Sequence, residues 1–188
     1  MQSLFYLVKQ LKKLAVSKIA RYTIHRICFE PDGGKDNHMK TAILYQSQHH
    51  GNTKKLLDAM AEMGDITLIK AEKAVGVDLS GYDAIGFASG IYFWDFGELV
   101  KDCAKKCLPQ DKKVFLIYTC GTKLPVYTKT MRAIFQEKGC TLLGTFACRG
   151  YDTFGVFGKL GGIAKGKPNA NDLVRVREFY RKTIAPLV

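Results

Sequence analysis

Ser47-Gln48-His49-His50-Gly51-Asn52-Thr53 decides how this chain is read. The apolar run Thr41-Ala42-Ile43-Leu44-Tyr45 precedes it. After it, Leu56, Leu57, Met60 and Met63 share one helical face, while Lys54, Lys55, Asp58 and Glu62 share the other. A strand, a turn carrying glycine and hydroxyls, and a helix start together make an anion site. The first helical N–H groups have no partner inside the helix, and the helix dipole there favours negative charge. A phosphate is the expected guest.

The same alternation continues to the end of the chain. Strands are expected at Thr41–Tyr45, Asp65–Ile69, Ala84–Ala88, Lys113–Tyr118 and Thr141–Ala147. They are nearly unbroken apolar runs, as parallel strands covered on both faces should be. Helices are expected at Asn52–Met63, Phe96–Cys107, Val126–Lys138 and Asp172–Thr183, the last with Asn169 or Asn171 as N-cap after Pro168. A weaker helical turn falls within Lys70–Leu79. Alternating β and α elements imply an α/β fold, a doubly wound sheet of five parallel strands.

The chain of 188 residues is long enough for one domain with a proper core. Hydrophobic residues make up 47% and charged residues 24%, a globular balance. The net charge of +12 attracts phosphates, acidic partners or anionic lipid. No zinc-finger, helix-turn-helix or RNA-recognition signature is present and the basic residues are scattered, so no nucleic-acid partner is expected. Six cysteines (28, 103, 107, 120, 140, 148) show no C-x-x-C spacing. Cys103 and Cys107 continue the apolar row Phe96, Leu99, Val100 and read as core. His49 and His50 are adjacent, so their side chains diverge; no metal site is expected.

In open sheets of this kind ligands sit beyond the carboxyl ends of the strands, where the winding reverses. Three segments follow strand ends. Ser47, Gln48, His49, His50, Gly51, Asn52 and Thr53 supply phosphate donors. Ser89, Gly90, Ile91, Tyr92, Phe93 and Trp94, up to Asp95, bring three consecutive aromatics and the single tryptophan, rings for a flat ligand to stack on. Thr119, Cys120, Gly121 and Thr122 allow close backbone approach to a planar ring, with Cys120 beside it as a spacer rather than a nucleophile. A phosphate at one end and an aromatic system at the other is the shape of flavin mononucleotide (FMN).

These motifs resemble the flavodoxin family. The resemblance rests on the strand–Ser-x-x-x-Gly-Asn-Thr–helix pattern, on Gly81-Tyr82-Asp83-Ala84-Ile85-Gly86-Phe87 leading into the third strand, and on Ser89-Gly90-Ile91-Tyr92 after it. It spans about residues 40–185. It implies a flavodoxin-like strand order of 2-1-3-4-5, FMN as cofactor, and electron transfer with a redox partner protein or a small-molecule acceptor. Two departures stand out. The usual loop, Ser/Thr-x-Thr-Gly-x-Thr, has one residue fewer before its glycine; the spacing here is closer to oxidoreductases of the menaquinone-dependent protoporphyrinogen oxidase type. Electron-carrier flavodoxins are also typically acidic, whereas this chain is basic. Three functions therefore stay open: an electron carrier, an FMN oxidoreductase acting on a quinone or porphyrin-type substrate, and a flavin-free regulatory domain.

Two other motifs fail on inspection. Gly161–Lys167 imitates a phosphate-binding P-loop, but Pro168 stands where a magnesium-binding Ser or Thr belongs. Ala88-Ser89-Gly90 lacks the aspartate of a phosphoacceptor domain with the same strand order. The connection Cys148–Asn171, with Tyr151, Phe154 and Phe157, is long enough to cover a flavin edge or dock a partner, or to be a packed surface loop.

Residues 1–38 are expected to lie apart from a domain at 39–188. Leu4, Leu7, Val8, Leu11 and Leu14 form an apolar face amid Lys9, Lys12, Lys13, Lys18, Arg21 and Arg26, with no acid before Glu30. Such a basic amphipathic helix suits peripheral contact of residues 1–29 with the inner face of a membrane, in an otherwise cytoplasmic protein; the composition also suits a transit peptide. Alternatively, Met39-Lys40 opens the first strand as a natural start would. Residues 39–188 keep 22 basic and 14 acidic residues, a balance of +8.

Overall fold

Alternate side chains of each central strand go to opposite faces of one sheet, and this sorts the molecule into two cores. The computed structural model describes residues 39–154 and 161–187. The expectations for residues 1–38, Cys28 among them, and for Phe157 lie outside the described residues. Strand β1 (Thr41–Gln46) is buried at every position. Ala42 and Leu44 pack on one side of the sheet, Ile43 and Tyr45 on the other.

Helix α1 (Asn52–Ala61) follows, then β2 (Ile66–Lys70), a 3₁₀ turn at Ala71–Lys73, and β3 (Ala84–Tyr92). A two-residue strand β4 (Asp95–Phe96) folds back on β3 before α2 (Glu98–Cys107). Strand β5 (Lys113–Cys120), α3 (Lys129–Glu137), β6 (Thr141–Arg149) and α4 (Ala170–Phe179) complete the order. The long strands are all parallel, in the spatial order β2-β1-β3-β5-β6. Setting aside the short β4, this is the order 2-1-3-4-5 that the resemblance implied. The winding reverses between β1 and β3.

One core lies under α2 and α3. There Phe87, Leu44, Leu116 and Ile85 meet Val100, Ala104, Met131 and Phe135. The other lies under α1 and α4, where Ile43, Phe115 and Ile117 meet Leu56, Leu57, Met60 and Val176. Gly86 makes room for the second core. A Cβ there would enter the Phe115 ring and stand 3.1 Å from Ile43 Cγ1.

The elements differ from the sequence reading mainly at their ends. β3 runs four residues past Ala88, because Ser89 and Gly90 stay paired with β5, and Ile91 and Tyr92 are paired by β4 instead of ending in a loop. Phe96 is taken up by that pairing with Ile91, so α2 begins at Glu98. The third helix opens as a 3₁₀ turn at Pro125–Thr128 and becomes α only from Lys129. The last ends at Phe179 and continues as a π turn through Tyr180–Ile184. Asn169 is the N-cap: its side chain accepts from the Asp172 amide at 3.2 Å, and Asp172 accepts from the Asn169 amide at 3.0 Å, a reciprocal capping box.

Gly86→Ala is expected to lower stability by about 1–3 kcal/mol, the usual cost of overpacking a filled core. The midpoint of denaturant unfolding should fall while its slope stays the same; an unchanged midpoint would refute the packing of Phe115 against Gly86.

Candidate functional site

The carboxyl ends of β1, β3, β5 and β6 meet in one cleft enclosing about 620 Å³, part of it open to solvent. Of the residues expected there, Ser47, Gln48, His49, Asn52, Thr53, Gly90, Ile91, Tyr92, Phe93, Thr119, Cys120 and Gly121 line it. His50, Gly51, Ser89, Trp94 and Thr122 do not. Gly150, Tyr151, Asp152 and Phe154 also line it, a fourth segment that the three strand-end segments did not include.

The first segment folds around two consecutive left-handed residues, His50 at φ 55° and Gly51 at φ 63°. This reversal turns the start of α1 toward the cleft. The Lys54 amide donates to Ser47 Oγ at 3.2 Å and the Asn52 amide to the His49 carbonyl at 3.4 Å. The Gly51 and Thr53 amides have no partner among the described residues. The Ser47 hydroxyl accepts one bond and keeps its proton to give. Asn52 is almost wholly buried; its Nδ2 donates to the Tyr151 carbonyl at 2.7 Å, and its Oδ1 has no partner. An unpartnered buried acceptor is costly unless a ligand donor meets it.

His50 points elsewhere. Its Nε2 is 2.9 Å from Thr153 Oγ1 and its ring lies 4.4 Å from Tyr151, so it ties the first segment to the fourth and does not face the cleft. Thr53 Oγ1 lies 3.0 Å from Thr119 Oγ1, a buried bond joining α1 to the end of β5.

The second segment is a strand and hairpin, not a loop. Phe93 (φ 48°) and Trp94 (φ 71°) are the central residues of a two-residue turn, both left-handed. Large aromatics at such angles cost of order 1–3 kcal/mol each, and persist only where the surroundings enforce them. The enforcement comes from Asp95. Its carboxylate accepts from Lys101 Nζ at 2.9 Å, Thr130 Oγ1 at 2.8 Å and the Phe96 amide at 2.8 Å, which ties β4 to α2 and α3. Burial alone would raise the Asp95 pKa; those hydrogen bonds and the Lys101 charge outweigh it and hold the carboxyl below its ordinary value.

Ser89 Oγ accepts from the Gly97 amide at 2.9 Å, inside the hairpin, and so leaves the cleft. Trp94 stands 67% exposed and leans toward Tyr127, 6.2 Å away, rather than into the cleft. Tyr92 and Phe93 remain as walls. Burial raises the Tyr92 phenol above its ordinary pKa against the pull of the Gln48 amide, so it stays a protonated donor.

The fourth segment is pinned to the third. The Gly150 amide donates to the Cys120 carbonyl at 3.0 Å, and Asp152 and Ile163 exchange two backbone bonds at 3.0 and 2.8 Å. A Cβ on Gly121 would stand 2.9 Å from Ile163 Cδ1, and one on Gly150 2.8 Å from Asn52 Nδ2, so both glycines permit close packing around the cleft. Phe154, 60% exposed, meets Phe93 edge to face at 5.7 Å across the mouth. Part of the connection 148–171 therefore forms a wall of the cleft. Extending the strand-end rule to β6 finds it.

The cleft thus has free main-chain amides and hydroxyls at the α1 end and rings and glycines at the other. That donor set fits a phosphorylated planar ligand. Among the described residues no three His, Cys, Asp or Glu are grouped to hold a metal ion, and no helix is long and apolar enough to cross a membrane.

Comparison with known proteins agrees with the fold. The flavodoxin domain family matches residues 42–158. Uncharacterized protein MJ0298 of Methanocaldococcus jannaschii is 34% identical over 148 residues, which covers 78% of this chain and 99% of that protein. Among solved structures, a Streptococcus pneumonia TIGR4 flavodoxin is similar at TM-score 0.55 and 15% identity, over 79% of this chain and 99% of that one. Rubredoxin oxygen:oxidoreductase of Desulfovibrio gigas is similar at TM-score 0.57 and 16% identity, over 79% of this chain but only 35% of that one. At such identities these structures share the fold.

Cys120 tests the description of the cleft wall. Burial pushes its thiol up to about 11, and that of Cys148 to about 12, so both are protonated at pH 8 and poor nucleophiles. Iodoacetamide followed by peptide mass spectrometry should leave both unmodified in the native protein at pH 8 and label them on unfolding. Rapid native labelling of Cys120 would contradict its burial.

Proposed function

The chain belongs to the flavodoxin family, and on that premise we propose that it holds FMN in the cleft and carries electrons between redox partners. The observation that supports this most is the pairing of the unpartnered Thr53 amide and the Ser47 hydroxyl with ring walls at Tyr92, Phe93 and Phe154 across one cleft. In this reading Ser47, Asn52 and Thr53 receive the phosphate end. Asn52 Oδ1 accepts from a polyol hydroxyl. Gly90, Gly121 and the aromatic walls flank the ring. The bound flavin supplies one- and two-electron chemistry; the protein binds it, orients it and limits water at its edge.

Calorimetry is expected to show 1:1 FMN binding, much tighter than riboflavin, which lacks the phosphate. Ser47→Ala should weaken FMN about tenfold, as for a lost bond to a charged group, and leave riboflavin nearly unchanged. Equal affinity for FMN and riboflavin would sink the amide cradle, and a colourless protein that takes neither would favour the flavin-free reading.

The charge favours a second reading, an FMN oxidoreductase acting on a quinone or porphyrin-type acceptor, with residues 1–29 on a membrane surface. Turnover of menadione with a pyridine nucleotide and no added reductase would distinguish it from the carrier. Under either reading, a basic shell disfavours the anionic reduced flavin less than an acidic shell does. A redox titration is expected to give a potential above that of acidic flavodoxins, falling as salt screens the charges. An equally low, salt-insensitive potential would refute that electrostatic argument.

A further inference from the structure

Beside the cleft, and sharing Gly121 with it, lies a second concavity with about 750 Å³ of open space. Thr122, Lys123, Arg149, Lys167, Asp172 and Arg175 line it. Four are cations and one is an anion. Asp172 forms part of the floor and is only 3% exposed. Oδ2 accepts from the Asn169 amide and from Lys167 Nζ, each at 3.0 Å, and Oδ1 lies 3.6 Å from Arg175 Nη1. It therefore holds Lys167, lies near Arg175, and makes no ion pair with the other two.

Arg149 Nε donates to the Gly121 carbonyl at 3.1 Å, and its terminal nitrogens have no partner among the described residues. Lys123 has none either. Arg175 is further restrained over the Phe146 ring, 5.7 Å from its centroid. Held guanidinium groups in a concavity concentrate positive potential and match the planar or tetrahedral oxygens of carboxylates and phosphates.

We propose that this groove is a subsite for the oxyanion groups, carboxylate or phosphate, of a small molecule that exchanges electrons in the adjoining cleft. The role in electron exchange rests on the flavin reading above; the anion site itself does not. Two features favour a small molecule over an acidic protein face: the buried Asp172 is part of the lining, and Gly121 lines both concavities. Lys123 and Arg149, free of carboxylates, call for a ligand with at least two negative charges.

The test is calorimetric titration of the full chain at low salt with pyrophosphate, with benzene-1,3,5-tricarboxylate and, as a stand-in for an acidic protein face, with polyglutamate, each with and without saturating FMN. The variants are Lys123→Gln, Arg149→Gln, the double variant and Ser47→Ala. One anion or both should bind the FMN-loaded chain 1:1, Arg149→Gln should weaken that binding about tenfold, and the double variant should weaken it further. Lys123 and Arg149 are both exposed, so melting temperatures should confirm that the variants fold. Preference for the tricarboxylate points to a carboxylate-bearing substrate, and preference for pyrophosphate to a phosphate-bearing one. The proposal falls if neither anion binds at millimolar concentration, or if the double variant binds as well as the parent. It also falls if only Ser47→Ala reduces the heat, since the anion then sits in the cleft. Arg149-dependent binding of polyglutamate alone would overturn it in favour of a protein-docking face. Arg149-dependent anion binding by a chain that takes no FMN would leave the subsite standing and remove the flavin reading.

Discussion

A parallel sheet puts all its carboxyl ends on one edge, and everything functional in this molecule follows from that constraint. Five parallel strands, the central ones covered on both faces, bring the segments that follow them together beyond that edge. The reversal of winding between β1 and β3 opens a gap there, since neighbouring connections leave on opposite faces. Two buried contacts hold the gap to a fixed shape. Thr53 bonds Thr119, and Asn52 bonds the Tyr151 carbonyl. Through them the start of α1 is held against the ends of β5 and β6, with the free Thr53 amide at the cleft. Donors placed before a ligand arrives need no ordering when it binds.

The hairpin at Phe93 and Trp94 shows strain carried at the same edge. Neither residue is suited to a left-handed turn, yet both occupy one, at the lip of the cleft. The compensation begins at the next residue, in the Asp95 carboxylate and its bonds to Lys101 and Thr130. Lys101 is buried and paired with both Asp95 and Glu98, at 2.9 and 2.7 Å. Losing Lys101 would strip the Asp95 carboxylate of its ion-pair partner beside Thr130, so the cluster acts as a bolt. What the bolt secures is a pair of exposed rings, one of which, Phe93, reaches Phe154 across the mouth.

Much of this was legible in the sequence because its physics is local. The unbroken apolar runs of β1 and β5 name themselves as doubly covered strands. The hydroxyl–glycine turn before Leu56 and Leu57 marks the helix start, and Pro168 followed by two asparagines narrows the last cap to Asn169 or Asn171, of which the structure uses Asn169. What escaped depends on contacts between distant segments. Nothing in Tyr92–Asp95 signals a tight hairpin, because turns with two left-handed residues normally carry Asn or Gly, and here the tertiary bolt replaces that chemistry. The orientation of His50 depends on Thr153, more than a hundred residues away. Gly150 to Phe154 lacks a motif of its own; only the sheet order reveals that it follows a strand ending at the same edge.

Asp172 shows how a single buried carboxylate joins fold and surface. As the N3 residue of the capping box it closes the start of α4, a purely local task that any acidic side chain at that position performs. Burial alone would push its pKa up. The Asn169 amide, Lys167 and Arg175 pull it below the ordinary carboxylate value instead, so it stays charged at neutral pH. A charged floor restrains the cation it bonds. Lys167, held at 3.0 Å, keeps less freedom to lose than a loose surface lysine, whose ordering costs of order 1 kcal/mol. The device that begins the last helix thus also places a lysine beside the cleft, and it does so with a carboxylate that packing alone would not require to be charged.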